Sequence, residues 1–306
     1  NGGTLEFDNS NFDVTKVQLL SSGAVLSKNH NDSANDCQMI LPGAMNMDNF
    51  TDTLSGQNVT IYKHASYSPN LNISNAGRTY GGLIIPAGSV VTHESTHTFT
   101  VTGNVNITGS GAIYTGGTGI PTFGSLTIGT SGTYSATSDV TTLNASLSDN
   151  FILNSGTFTH NNGTVKCQGA WGAMKSGGSS VGKFTFYNLI SDVAGGEGLH
   201  ISTVNYETDK TSDTVNGGLV IKNDLTINAS RTFSMGNVGF PIRVQGKAII
   251  NGLWKNYGDT WGTNTLGNLY LNDVELNTGG TLEPTKRSVY ISGAYRNTGG
   301  TLTNHT

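Results

Sequence analysis

The sequence predicts an all-β fold, a parallel β-helix or solenoid rod with loop insertions. Three observations predict it: a composition that favours strands over helices, a short apolar phrase that recurs along the chain, and a Gly-Thr phrase coupled to a second apolar pair downstream. An array of β-sandwich domains is the rival architecture, because short strands between Gly-rich turns also suit sandwiches.

The composition departs from the globular average. Charged residues make up 12% of the 306 residues, about half the usual ~25%. There are 42 Gly and 6 Pro, with Asn, Ser and Thr filling much of the remainder. Few Glu, Lys, Ala or Leu are present to build helices, whereas Thr, Val, Ile, Tyr and Phe favour strands. Disorder goes with high net charge and few hydrophobic residues; here the net charge is -4 and 35% of the residues are hydrophobic. That charge offers no basic footprint, so nucleic acid is not an expected partner. No run approaches ~18 apolar residues, so no membrane span is expected. Cys37 and Cys167 are too few for a disulfide framework and lack zinc-ligand spacing; they read as small buried hydrophobes.

The recurring phrase appears in three ungapped copies. Gly103-Asn104-Val105-Asn106-Ile107 is followed six residues later by Ile113, Gly124-Ser125-Leu126-Thr127-Ile128 by Tyr134, and Asn223-Asp224-Leu225-Thr226-Ile227 by Phe233. Alternation places the paired apolar residues on one face of a strand. The polar link that follows is long enough for a corner and too short for a helix. Val105 and Leu126 are 21 residues apart, a spacing that suits one solenoid coil. Elsewhere the spacing loosens, as expected if corner loops vary while strands keep register. Residues 1–82 read as N-terminal rungs with an irregular insertion at about 28–57, and 83–306 as regular repeats broken by a second irregular stretch at 191–217.

The second phrase reaches both ends of the chain. Gly156-Thr157-Phe158 leads to Val165-x-Cys167, and Gly280-Thr281-Leu282 leads to Val289-x-Ile291, each across seven residues. Gly300-Thr301-Leu302 closes the sequence, and Gly2-Gly3-Thr4-Leu5-Glu6-Phe7 opens it. Leu302 would then lead to Leu5 and Phe7, as one motif split between the two ends. The expectation is a fragment that continues beyond its ends, or a subunit that stacks head to tail. Its partners would be copies of itself or adjoining repeats of the same chain.

Three constellations could carry chemistry. His93-Glu94-Ser95-Thr96-His97 matches H-E-x-x-H, but strand formers flank it on both sides. In an extended strand His93 and His97 sit about 13 Å apart, too far for one zinc, so Glu94 and its two histidines read as a chance match and no metal is expected. Trp254, Tyr257 and Trp261 lie within eight residues of one another; exposed aromatics of this kind stack on sugars, making them the candidate glycan-binding residues. The acidic residues are thinly spread, with no paired carboxylate motif of the kind a β-helical polysaccharide lyase or hydrolase needs. Neither catalysis nor a cofactor is expected.

The phrases Ser155-Gly156-Thr157-Phe158-Thr159-His160-Asn161-Asn162-Gly163-Thr164-Val165 and Phe184-Thr185-Phe186-Tyr187-Asn188-Leu189-Ile190 resemble large repetitive proteins of phages and bacteria, among them virion fibres and adhesin-like surface proteins. The resemblance covers residues 83 to 306 in pattern. It implies a projecting fibre module at an extracellular, cell-surface or virion location, and it carries over no functional residue. A structural spacer is the first expectation. A module binding a cell-surface glycan or receptor is the second, and a β-helical polysaccharide enzyme the third.

Overall fold

Inward alternation organises the chain. In the strand Ile120–Ile128, Pro121, Phe123, Leu126 and Ile128 are buried while Ile120, Thr122, Ser125 and Thr127 are not. The computed structural model describes side chains at residues 80, 82–93, 98–145, 150–175, 184–195, 198–201, 219–234, 241–255, 268–284 and 288–303. It describes the backbone alone in strands at 4–7, 24–28, 37–41, 44–46, 50–52, 58–63, 70–72 and 78–79, and at 176, 202–203, 235 and 256. Two units are present, one of residues 1–141 with 156–159, the other of 142–155 with 160–306.

In the first unit, the strands Ala44–Asn46, Asn70–Asn72, Val90–Thr92, Ile113–Thr115, Thr133–Ser135 and Thr157–Thr159 form one parallel ladder in that order. A second ladder joins Cys37–Leu41, Asn58–Lys63, Gly82–Ile85, Thr98–Ile107 and Ile120–Ile128. Val105 pairs with Leu126 and Ile107 with Ile128, the register that the 21-residue spacing predicts. The link differs in one detail: Tyr114, not Ile113, pairs with Tyr134 and points inward. The first copy carries one more corner residue than the second, and a one-residue slip exchanges the two faces of a strand.

In the second unit, each coil supplies strand segments to three parallel ladders. The first runs through Phe184–Phe186, Leu219–Ile221, the starts of Ile242–Ile250 and Leu269–Leu276, and Val289–Ile291. The second runs through Thr164–Gly169, Asn188–Val193, Leu225–Ile227, the latter parts of the same two long strands, and Tyr295–Asn297. The third runs through Asn150–Asn154, Gly172–Ser176, Leu199–Thr203, Thr232–Met235, Leu253–Asn256, Thr281–Glu283 and Thr301–Leu302. Every described pairing is parallel, which excludes an array of antiparallel sandwiches. The fold is a parallel β-solenoid.

Coil length varies. The Asp224 amide bonds Asn188 Oδ1 across 36 residues, while the Thr278 hydroxyl bonds the Thr298 carbonyl across only 20. The expected insertion at 28–57 contains strands Cys37–Leu41, Ala44–Asn46 and Phe50–Asp52, all within parallel pairings. These three strands therefore lie in parallel pairings rather than in a helix or an unpaired loop. The stretch 191–217 likewise contains strand Leu199–Thr203, and 204–218 lies outside the described residues.

One corner turn recurs. Gly132, Arg231 and Gly280 each donate a backbone hydrogen bond to the carbonyl three residues earlier. The third residue of these turns has positive φ: Ser131 at 65°, Ser230 at 60° and Gly279 at 82°. At Gly280, any Cβ would meet the Ile250 carbonyl of the coil beneath, so close stacking of coils requires a glycine there.

The core is a set of columns. Tyr80, Phe99 and Phe123 meet edge to face, with centroids 5.6 and 6.3 Å apart. Tyr114 and Tyr134 stack at 5.3 Å, and Tyr134 stacks on Phe158 at 5.5 Å. In the second unit, Leu189, Leu225, Ala248 and Val274 follow one another in register, all buried. Burying such a side chain contributes roughly 1.5–3 kcal/mol, which offsets the ordering cost of its coil. Cys167 is fully buried and unpaired, and burial raises its thiol pKa well above the ordinary value.

Candidate functional site

The second unit's last coil, residues 288–303, carries the features that set it apart from the coils before it. Its strands are Val289–Ile291, Tyr295–Asn297 and Thr301–Leu302, and each has one described neighbour strand. Their registers continue the ladders: Ile291 on Leu271, Tyr295 on Val274 and Leu302 on Leu282. The three residues beneath are at most 2% exposed. The residues above them are not: Ile291 is 37%, Tyr295 44% and Leu302 53% exposed. The same apolar alternation thus places side chains of this coil at core positions, where they are partly exposed among the described residues.

The polar ladders end at the same level. Asn277 Nδ2 donates to Asn251 Oδ1 at 2.8 Å, and Thr298 Oγ1 donates to Asn277 Oδ1 at 3.0 Å. The last corner is tied by Asn297, whose Oδ1 accepts from the Gly299 and Gly300 amides at 2.9 and 2.8 Å. This side chain holds the turn in the conformation that the preceding coil reaches with the Asn277 carbonyl. The coil is therefore built, with a formed corner and continuous register, and among the described residues its far edge has no strand partner and carries apolar side chains. Such an edge is a template for strand addition.

The split motif falls on this edge at one of its halves. Leu302 lies on the strand that ends the third ladder. Leu5 and Phe7 lie on Thr4–Phe7, the outer strand of a three-stranded parallel sheet with Ala24–Lys28 and Phe50–Asp52. Their side chains lie outside the described residues. Both halves of the motif thus sit on strands with one described neighbour. Sequence reasoning named Leu302 but missed Ile291 and Tyr295 as surface residues. The Val289-x-Ile291 alternation marked Ile291 as inward, and only the count of coils above it could have marked it as exposed.

The other candidate residues are placed as follows. Trp254 is 1% exposed and packs edge to face on Phe233 with centroids 5.4 Å apart. Its indole presents no face to solvent, so the sugar-stacking role expected of it is not open to it in this fold. Tyr257 and Trp261 lie outside the described residues. His93 is fully buried directly after strand Val90–Thr92, with Nδ1 3.3 Å from the Tyr114 hydroxyl. Glu94 and His97 lie outside the described residues. Among the described residues no three His, Cys, Asp or Glu side chains gather in a way that could hold a metal ion.

Asp192 gathers two cations on the surface of the second unit. Lys166 and Arg231 reach Asp192 at 2.9 and 3.1 Å. Partial burial pushes the Asp192 pKa up, hydrogen bonds from Lys166, Asn228 and Arg231 pull it down, and the net shift is downward. Comparison with protein-family models, with curated proteins and with solved structures finds no match.

Proposed function

We propose that the chain is a structural module of an extracellular or virion fibre, a stiff spacer extended by further β-solenoid coils of the same repeat. The observation that carries this reading is the last coil, where Ile291, Tyr295 and Leu302 continue the core register and remain 37–53% exposed. A β-solenoid coil stabilises its neighbours through nearest-neighbour contact, and an uncapped apolar coil invites another. Another coil of this kind would bring matching side chains and a matching strand edge. The Thr4–Phe7 strand repeats the Gly-Thr-Leu phrase and lies at a ladder edge, which suits it to that place in a second copy. The architecture supports the spacer role: within each unit, hydrogen bonds between successive coils and an apolar core oppose bending. The proposed partner is thus the chain's own repeat, and the role is not catalytic.

Sedimentation of the purified chain tests the reading. Concentration-dependent end-to-end association is expected, with dimers and longer species at about 100 μM. The double substitution Tyr295→Asp with Leu302→Asp should abolish it and leave the β-sheet circular dichroism signal in place. A wild-type chain that stays monomeric at that concentration, or association that the double variant does not change, would sink the proposal.

A further inference from the structure

We infer that a groove on the outside of the second unit binds a carboxylate-bearing oligosaccharide. The groove has a volume of about 400 Å³, within the range of small-ligand sites. One wall is a column that the ladder register builds: Arg243 pairs with Tyr270, and Tyr270 with Tyr290. The Arg243 guanidinium lies 4.0 Å over the Tyr270 ring, and Tyr270 stacks on Tyr290 at 5.2 Å with an interplanar angle of 12°. Gln245, Asn272 and Ser292, each two residues further along its chain segment, also line the groove. Register between the two long strands shifts between Val244 and Lys247, a bulge that turns the chain, and such bulges re-aim side chains beside binding sites.

The chemistry of the walls selects the ligand. Three successive coils at ~4.8 Å spacing give the groove about 10 Å along the ladder, room for a short oligosaccharide. Tyr270 and Tyr290 give the wall aromatic surface, with Tyr290 52% exposed, against which the C–H face of a sugar can pack. The amide groups of Gln245 and Asn272 and the hydroxyl of Ser292 suit sugar hydroxyls. Arginine is the cation of the groove. Its five donors allow a planar carboxylate to be held by paired N–H bonds alongside contacts within the fold. Stacking on Tyr270 fixes the guanidinium plane and so lowers the entropy cost of that pairing. One arginine against a chain of net charge -4 does not suit nucleic acid. A uronate-type sugar, one carboxylate per ring with hydroxyls around it, does suit the groove. This inference is independent of end-to-end stacking, because the groove opens sideways between side chains of coils already present.

Calorimetric titration with short uronate oligosaccharides tests it, using galacturonate and glucuronate-containing trimers with the methyl-esterified galacturonate trimer as the uncharged control. The acidic trimers should bind, and the ester should bind roughly tenfold more weakly. Arg243→Gln should weaken the acidic trimers by roughly tenfold and leave the ester unchanged, and Tyr290→Ala should weaken both. Both sites are on the surface, and unchanged circular dichroism checks the fold of each variant. Equal binding of acid and ester, wild-type affinity in both variants, or no binding of either acidic trimer at about 10 mM overturns the inference.

Discussion

Two tyrosine stacks have almost the same geometry and opposite surroundings. Tyr114 and Tyr134, in the first unit, lie 5.3 Å apart at 16° and are wholly buried. Tyr270 and Tyr290, in the second, lie 5.2 Å apart at 12°, and Tyr290 is 52% exposed. The likeness comes from the ladder, because residues paired in adjacent parallel strands repeat at the strand spacing, which brings their rings within stacking distance. The difference comes from alternation. Tyr134 is the inward middle residue of Thr133–Ser135, whereas Tyr270 lies between the inward Leu269 and Leu271. One position along a strand separates a core residue from a surface tool.

Truncating one ring of each stack gives the largest contrast. Tyr134→Ala removes a buried ring and leaves Thr141 Oγ1 without the hydroxyl that sits 3.0 Å away. It should cost about 3–5 kcal/mol, the range for deletion of a large buried aromatic. Tyr290→Ala should stay within about 0.5 kcal/mol, as surface substitutions do. Urea denaturation of the two variants measures both. Similar losses would mean that stacking energy, not burial, holds both columns.

The sequence made the ladders legible but not their boundaries. Val105 with Leu126 and Leu282 with Leu302 could be aligned by eye, because a solenoid writes its register as a repeat spacing. The inward face was legible for the same reason, except at Tyr114, where one additional corner residue moved the face by one. The strands within residues 28–57 were missed, since Asp, Met and Pro there hid short ladder segments such as Cys37–Leu41. At the candidate site, Trp254 looked like an exposed aromatic because polar residues surround it in sequence. Its inward placement follows from pairing with Phe233, 21 positions earlier, which local composition does not express. The outer Arg243–Tyr270–Tyr290 column was invisible for a related reason: its members are separated by whole coils.

A second contrast lies within one unit. Residues 277–282 and 297–302 share the phrase Asn-Thr-Gly-Gly-Thr-Leu and adopt the same corner and strand, yet Leu282 is 1% exposed and Leu302 53%. Leu282→Ala should cost about 2–4 kcal/mol, while Leu302→Ala should cost under about 1 kcal/mol in the dissociated chain. If stacking covers the last coil, the Leu302 loss should grow with protein concentration and approach that of Leu282. Thermal unfolding at two concentrations decides this; a Leu302 loss that is small and independent of concentration breaks the link between the open coil and self-association.

Titration separates the buried stack by its pH dependence. Burial raises the pKa of Tyr114 and Tyr134 well above the ordinary phenol value, helped at Tyr114 by repulsion between the two and opposed at Tyr134 by the Thr141 hydrogen bond. In the unfolded chain both release a proton near pH 10. Above that pH the unfolded state holds fewer protons than the folded one, so stability falls as pH rises; below it the contribution is complete. Each tyrosine should contribute a decline of at most about 1.4 kcal/mol per pH unit until its folded pKa is reached. The double variant Tyr114→Phe with Tyr134→Phe loses buried hydrogen bonds and should be less stable by about 1–3 kcal/mol at neutral pH. Its stability should nevertheless fall less steeply above pH 10 than that of the wild type. Urea midpoints across that range measure the slopes, and tyrosinate absorbance of the wild type should show at least two residues that ionise only with unfolding. Equal alkaline slopes in the two proteins would place the titration elsewhere and remove the distinction between inner and outer rings.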